Sequence, residues 1–284
     1  DVIRIGTAGR LGSAWGLPGR PMRPGTSFAA GTNRNGKDVS LIILFTRGGM
    51  SNHDTLDMKP KAPVEFRGDF RPIETNVPGI QICEHLPVLA QQADKFAVLR
   101  SMTHGNSGHG PADHYMLTGY HPTPAFNSNL MPNNERPCHG AIIARKLGPK
   151  GSVPPYVALP MLHPSGGSAY LGSASAPFVV NSDPNSPDFS VPDLAPPLDI
   201  ESARLDDRRH LFAKVDRYRQ SAEVRANAGA QTMSEFQQKA FDLMTSKETK
   251  AAFDISREPD SVRDRYGRHS LGQMCLMGRR LVES

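Results

Sequence analysis

The stretch DVSLIILFTRGG, residues 38 to 49, contains the clearest fold signal in the chain. Six of the seven residues from Val39 to Phe45 are apolar, and Gly48 and Gly49 follow them. An apolar run that ends in a glycine pair is typical of a parallel strand buried on both faces, followed by a loop. We therefore expect a β-strand from Val39 to Phe45.

The segments after this run alternate between helix and strand patterns. Residues 82 to 102 have helical spacing in their first part, with Pro87 in the first turn, and a strand pattern from Phe96 to Arg100. GAIIARKLGPKG, residues 140 to 151, predicts a short helix with a glycine stop. PPYVALP, residues 154 to 160, predicts a third buried strand. This alternation predicts an α/β fold with right-handed crossovers, in which ligands bind at the carboxyl ends of the strands.

The two ends of the chain differ from this middle part. Residues 1 to 36 hold five arginines and one acid, or +4 of the net charge of +5. Their start resembles a twin-arginine export leader without its arginine pair, followed by a linker; a disordered tail is the alternative. Residues 37 to 284 form the predicted α/β domain, and 201 to 284 are largely helical in pattern. The last helix pattern has no closing signal, so we expect a domain truncated at its C-terminus.

Composition and charge argue against several classes of protein. Outside residues 1 to 36 the net charge is only about +1, so we expect no nucleic-acid partner. No apolar run reaches the length of about eighteen residues that a membrane span requires. Three cysteines lie far apart and form no CxxC pair, which indicates neither a zinc ribbon nor a disulfide framework. The sequence leaves open a single disulfide among Cys83, Cys138 and Cys275.

The first candidate site is TRGGMSNHDTLDMKP, residues 46 to 60, directly after the first predicted strand. It contains His53, Asp54 and Asp57. Imidazole and carboxylate groups at a strand end can hold a divalent metal ion, and we expect His53 and Asp54 as ligands. The alternative is that Asp54 and Asp57 form Asx-turns and cap the segment that follows.

The second candidate site is MTHGNSGHGPADHYMLTG, residues 102 to 119. Its proline and glycine predict a loop from Ser107 to Gly110, then a short helix that begins near Pro111 and ends near Gly119. His109 would lie at the N-terminal end of this helix, where backbone N–H groups point at anions. The alternative is that the polar side chains hydrogen-bond the loop backbone. The candidate catalytic residues are His109, Asp113 and His114.

Four separated blocks resemble the bacterial DUF1501 family, whose members are exported proteins of the alkaline-phosphatase/sulfatase superfamily. The blocks are LIILFTRGGMSNHDTLDMKP (41 to 60), VLRSMTHGNSGHGPADHYMLTGYHP (98 to 122), GSAYLGSASAPFVV (167 to 180) and AFDISREPDSVRDRYGRHSLGQMCLMGRRLVE (252 to 283). The resemblance runs from about Val39 to the last residue. It implies an alkaline-phosphatase/sulfatase-like, mostly parallel sheet flanked by helices, of which this chain covers the front part.

The same resemblance relates the second site to the sulfatase nucleophile loop, Cys-x-Pro-Ser-Arg followed by Thr-Gly. When the two are aligned on Thr118 and Gly119, His109 takes the place of the nucleophile and Pro111 that of the proline. A histidine cannot be oxidised to the formylglycine that sulfatases use. Thr46 and Arg47 occupy the place where the superfamily has its first acidic metal ligand, and the nearest acid is Asp54. The resemblance thus implies a retained fold with altered chemistry.

Together these patterns predict an exported, periplasmic or extracytoplasmic, metal-dependent hydrolase-like protein that acts on phosphate or sulfate esters. His109 would be the nucleophile or would bind the metal with Asp54 and His53, while Arg47 and Gly110 would bind the anionic group. The alternative is a non-catalytic protein that holds a sulfated or phosphorylated glycan at the same loop. The absence of Cys, Ser or Thr at position 109 favours this alternative, and the histidines at the strand ends favour catalysis.

Overall fold

The computed structural model describes residues 39–46, 50–129, 135–149, 151–191, 194, 207, 210, 211, 214 and 245–284. These residues belong to two units, which divide between His109 and Gly110. The strands and α-helices of the described part are β1 (Pro72–Glu74), β2 (Gln81–Cys83), α1 (Pro87–Ala90), α2 (His109–Thr118), α3 (His139–Leu147), β3 (Val157–Ala158), β4 (Phe178–Val179), α4 (Lys247–Phe253), α5 (Asp260–Tyr266) and α6 (Ser270–Glu283). Short 3-10 helices cover Val64–Phe66, Ala93–Lys95, Ala169–Leu171, Ser173–Ser175 and Ile255–Arg257. The fold therefore mixes helix and strand, as the sequence predicts.

The first unit contains a small antiparallel hairpin. Ile73 of β1 lies opposite Ile82 of β2, and the turn between them passes through Gly79 at φ 82°, in the region that favours glycine. Helix α1 follows, with Pro87 at the start as predicted. Proline is tolerated there because the first N–H groups of a helix have no partner within it. Ile82 and Ala90 are fully buried, so the hairpin and α1 share one small core.

Local sequence signals set the bounds of helices α2 and α3. Helix α2 begins at His109, two residues before the predicted start, and ends just before Gly119, whose φ is 78°. Helix α3 ends at Gly148, at φ 71°, which confirms the predicted glycine stop. Its N-terminus is capped by Cys138, whose sulfur accepts a hydrogen bond from the backbone N–H of Ala141 at 3.5 Å.

The second unit has its main apolar core between the parallel β3–β4 pair and the C-terminal helices. Strand β3 lies within the predicted PPYVALP strand and pairs with β4, with Val157 opposite Phe178. The ring of Phe178 contacts that of Phe253 at 5.6 Å between centroids. The buried members of this core are Val180, Leu194, Phe253, Ile255 and Met277. Burial of each large side chain stabilises the fold by about 1.5–3 kcal/mol.

Two predicted strands are wrong for the described residues. The apolar run from Val39 to Phe45 forms no strand, and its large apolar side chains are 37 % to 57 % exposed. Phe96–Arg100 is likewise without strand structure. A strand is defined by its hydrogen-bonded neighbour, and a run that is apolar on both faces also needs cover on both. No strand of the described residues pairs with either segment, and both sheets there have only two strands.

Some predictions fall on residues outside the described ranges. They include the leader and linker at 1–36, Arg47, and most of the helical pattern between 201 and 244. Positions 207, 210, 211 and 214 are helical, and α4 to α6 confirm the helical prediction after residue 245. Within the described ranges, no helix is long and apolar enough to span a membrane.

Candidate functional site

Helix α2 is unusual because its buried side chains are polar. Asp113, His114 and Thr118 are 7 %, 0 % and 3 % exposed. Buried polar groups are costly unless they are hydrogen-bonded. The Thr118 hydroxyl donates to the carbonyl oxygen of His114 at 2.6 Å, one turn earlier, and the two other side chains bond to a distant segment of the chain.

His114 bonds to the loop that follows β3. Its Nδ1 lies 3.1 Å from the hydroxyl oxygen of Ser165, which is itself fully buried. Its ring also packs against Phe126, with 4.8 Å between ring centroids. Burial lowers the pKa of His114, which favours the neutral imidazole. The other ring nitrogen, Nε2, is buried without a hydrogen-bond partner among the described residues.

Asp113 bonds to His163 in the same loop. The carboxylate Oδ2 of Asp113 lies 3.1 Å from Nε2 of His163, and Nδ1 of His163 accepts the backbone N–H of Ser165 at 3.1 Å. Because Nδ1 accepts a hydrogen bond, its proton is absent and Nε2 bears the ring's hydrogen. His163 therefore donates to Asp113 through Nε2–H.

A second pair of side chains holds the next residue of this loop. The hydroxyl of Tyr156 and the thiol of Cys138 each donate to the carbonyl oxygen of Gly166 at 3.1 Å. Burial, together with the neighbouring thiol of Cys138, raises the pKa of Tyr156 far above its ordinary value, so the phenol stays protonated. A Cβ at Gly140 would lie 2.6 Å from the Tyr156 ring, so only glycine allows this close packing.

These contacts do not form a nucleophilic triad. In a Ser-His-Asp triad one histidine bonds to both the serine and the aspartate. Here Ser165 bonds to His114, whereas Asp113 bonds to His163. Ser165 is also fully buried, so its hydroxyl does not meet a substrate from solvent. The network fixes the loop after β3 against α2.

The predicted residues at the start of α2 have a different environment. His109 is the first residue of the helix and is exposed. The backbone N–H of Gly108 donates to the side chain of Asn106 at 2.9 Å, which shapes the loop before the helix. At Gly110, a Cβ would fall 2.4 Å from Cβ of Ser128, so this position needs glycine for packing. Its predicted anion-binding role remains a prediction.

The first candidate site contains backbone turns, but among the described residues the carboxylates of Asp54 and Asp57 bond to Asp69 and Lys59 and do not form the Asx-turns of the alternative interpretation. The backbone N–H of Asp54 donates to Ser51 at 3.2 Å, and its carboxylate accepts the N–H of Asp69 at 3.3 Å. Asp57 pairs with Lys59 at 2.6 Å, and this hydrogen bond lowers the pKa of Asp57. His53 and Asp54 are both half-buried.

Metal binding by these residues remains a prediction. Within the described ranges, no group of three or more His, Cys, Asp or Glu residues is arranged to hold a metal ion. Arg47, the predicted anion ligand, lies outside those ranges.

Sequence reasoning missed His163, Ser165 and the role of Tyr156. The segment HPSGG, residues 163 to 167, follows the predicted strand PPYVALP, as the two other candidate loops follow theirs. The rule that places ligands and polar clusters at the carboxyl ends of strands therefore also pointed to this loop.

Comparison with known proteins identifies the family of the chain. No curated protein and no solved structure shows a significant match to it. A family model described as a protein of unknown function, DUF1501, matches residues 38–284, which is most of the chain and includes both candidate sites. The chain therefore belongs to the DUF1501 family.

Proposed function

We propose that this protein is an exported hydrolase that acts on phosphate or sulfate esters, with His109 as the attacking group. The observation that supports the proposal is the contrast within α2. His109 is exposed at the helix start, whereas Asp113 and His114, one turn further on, are buried and hydrogen-bonded. A helix fixed in this way presents its first residue in a defined position.

The N-terminal end of α2 also suits an anionic ester. The first N–H groups of a helix have no partner within it and point toward solvent, and the helix dipole adds a partial positive charge. Pro111 has no N–H, so the donors at this end come from its neighbours, including Gly110. In this proposal Asp113 and His114 position the helix and do not touch the substrate.

For a phosphate ester the reaction has two steps. A neutral imidazole nitrogen of His109 attacks phosphorus, so that an N–P bond forms while the P–O bond to the alcohol breaks. The leaving oxygen takes a proton from water. A second water then attacks phosphorus and gives a proton to the hydroxide left in the first step, the N–P bond breaks, and inorganic phosphate and the free imidazole are released.

The described residues do not fit a complete metal site, so no step above passes through a metal. The carboxylate of Asp54 already accepts a backbone hydrogen bond, and no group of three suitable ligands is present within the described ranges. We keep a divalent metal held by Asp54, His53 and His109 as a separate proposal. Metal analysis of the purified protein tests it, with Asp54→Ala as the comparison.

The larger parallel sheet and the export of the protein also belong to this proposal. The six large apolar side chains among the seven residues from Val39 to Phe45 support further apolar cover over this segment in a larger fold, because they cost free energy while they face water. The leader-like pattern of residues 1 to 36 supports export.

The alternative function is non-catalytic binding of a sulfated or phosphorylated glycan. One observation favours it: the serine of the polar network, Ser165, is fully buried, which leaves no exposed hydroxyl nucleophile beside an imidazole there. In that case the loop before α2 would hold the anionic group without turning it over.

The test is a screen of the purified chain against 4-nitrophenyl phosphate and 4-nitrophenyl sulfate. The matched pair of variants is His109→Ala and His104→Ala, since both histidines are exposed in the same segment. We expect His109→Ala to lower kcat by about 100-fold or more, and His104→Ala to leave it within about twofold. Equal activity of both variants would exclude His109 as the attacking group. Anion binding without turnover by the unaltered chain would support the alternative.

A further inference from the structure

Two stacked pairs of aromatic and cationic side chains lie at the end of α2 and in the turn that follows it. Together we call them the Tyr120 surface, and its members are Tyr115, Tyr120, His121 and Arg136. Tyr120 is 49 % exposed, His121 and Arg136 are also exposed, and Tyr115 is half-buried. All four lie in the second unit and none belongs to the polar network described above.

The side chains of the Tyr120 surface are ordered in stacked pairs. The guanidinium carbon of Arg136 lies 4.9 Å from the centroid of the Tyr120 ring. The ring of His121 stacks on that of Tyr115, with 4.4 Å between centroids and 15° between planes. The backbone N–H of Tyr120 donates to the hydroxyl of Thr118 at 3.2 Å, which fixes the turn. Groups that are ordered before binding lose less conformational entropy when a ligand arrives.

The charge of Arg136 is not neutralised by a direct ion pair. Among the described residues no carboxylate lies within 4.0 Å of its guanidinium. The adjacent Glu135 accepts two hydrogen bonds from Thr123, one of them from the backbone N–H at 3.1 Å, and interacts with Arg136 only through space. An exposed guanidinium beside a tyrosine ring is thus available to an anionic group.

We propose that the Tyr120 surface binds a pyranose sugar that carries one anionic group, a carboxylate or a sulfate. The apolar C–H face of a sugar ring packs on the negative π-face of an aromatic ring; because Arg136 lies over one face of the Tyr120 ring, the sugar would pack on the other. Arg136 would form a two-point hydrogen-bonded pair with the anionic group, as guanidinium groups do with planar or tetrahedral oxyanions. The imidazole of His121 would bond to ring hydroxyls.

Charge favours a sugar over a nucleic acid as the ligand. A nucleic-acid site contacts several phosphates in succession and needs a cation for most of them. The Tyr120 surface has one permanent cation, and the net charge of the chain outside residues 1 to 36 is only about +1. One cation beside two aromatic side chains matches one charged sugar residue.

This inference does not rest on the proposed hydrolysis. It uses none of the residues assigned to that reaction, and binding is measured without turnover. A chain that binds charged sugars but hydrolyses nothing would refute the proposed reaction and leave the Tyr120 surface intact. The opposite result would refute only the present inference.

The experiment is isothermal titration of the full chain with digalacturonate, monosulfated lactose and neutral lactose. Physiological ionic strength screens non-specific attraction to the arginines of residues 1 to 36. We expect a charged sugar to bind more tightly than lactose, and Tyr120→Ala and Arg136→Gln each to raise Kd about tenfold, or roughly 1.4 kcal/mol. The matched controls are Tyr170→Ala and Arg257→Gln, which alter exposed residues of the same unit and should leave Kd unchanged.

Several results would overturn the inference. Absence of binding to either charged sugar is one of them, and lactose binding as tightly as its sulfated form is another. An equal loss of affinity in Tyr170→Ala would show that the effect is not specific to this surface. A single-stranded oligonucleotide that binds more tightly than either sugar, with the same sensitivity to Arg136→Gln, would identify a nucleic-acid site instead. The relative affinities for digalacturonate and sulfated lactose decide between a carboxylate and a sulfate.

Discussion

The hydrogen bond between Ser165 and His114 permits a quantitative test of the polar network. Ser165→Ala removes one hydroxyl at a fully buried position and changes the side-chain volume little. Among the described residues His114 has no hydrogen-bond partner for Nε2, so the substitution leaves both ring nitrogens without a described partner in the interior. Stranding a buried polar group costs about 1–3 kcal/mol. We expect the free energy of unfolding to fall by that amount.

The assay is thermal unfolding by calorimetry, with Ser173→Ala as the control. Ser173 is exposed, and its substitution should change stability by less than about 0.5 kcal/mol. For a chain of this size, each kcal/mol lowers Tm by roughly 2–4 °C. A Tm of Ser165→Ala equal to that of Ser173→Ala would refute the reasoning, because it would mean that His114 does not depend on this bond.

A double substitution separates the loss of the bond from other effects of the change. His114→Leu combined with Ser165→Ala removes both polar partners, and a pair of apolar groups of similar size can be nearly neutral. We therefore expect the double variant to be less destabilised than the sum of the two single variants. Additive losses would show that the two side chains do not act as a pair.

Three further predictions follow from the described contacts. Gly110→Ala should destabilise the chain by about 1–3 kcal/mol in denaturant unfolding, because the added Cβ would fall 2.4 Å from a neighbouring side chain. Gly105→Ala is the control and should not destabilise the chain, because the space around Gly105 is open. Glu258→Gln should lower the free energy of unfolding by roughly 1.5–3 kcal/mol, because it weakens bonds to two arginines of α6. As a control, Asp260→Asn alters an exposed ion pair and should lower Tm far less. Burial holds the folded-state pKa of His114 below its unfolded value of about 6.5. The free energy of unfolding should therefore fall as the pH drops below about 6.5, and this fall should be smaller in His114→Gln.

The elements that sequence predicted well are those set by local chemistry. Pro87 at the start of α1, Gly119 after α2 and Gly148 after α3 each act on the dihedral angles of their own position. Such effects do not depend on the rest of the chain, so a pattern of a few residues is enough to predict them. The strand prediction for Val39 to Phe45 was wrong because a strand also requires a hydrogen-bonded partner strand, which no local pattern supplies.

The residues of the candidate site fall into the same two groups: those that a local pattern predicts and those that depend on packing. His109, Asp113 and His114 were identified because they lie close together in sequence and flank recognisable helix signals. Their partners His163 and Ser165 lie about fifty residues further along the chain, so nothing in the motif itself pointed to them. The exposure of His109 and the burial of its neighbours follow from which face of α2 packs on that loop, and packing of this kind is a property of the folded chain.

The most direct test of the proposed function is to trap the phosphorylated protein. The full chain is incubated with a phosphate ester, quenched in alkali, and analysed by mass spectrometry, because phosphohistidine is lost in acid. The proposal predicts one phosphoryl group on the peptide that contains His109, and none in His109→Ala. Turnover with the phosphoryl group on another residue, or full turnover by His109→Ala, would contradict it.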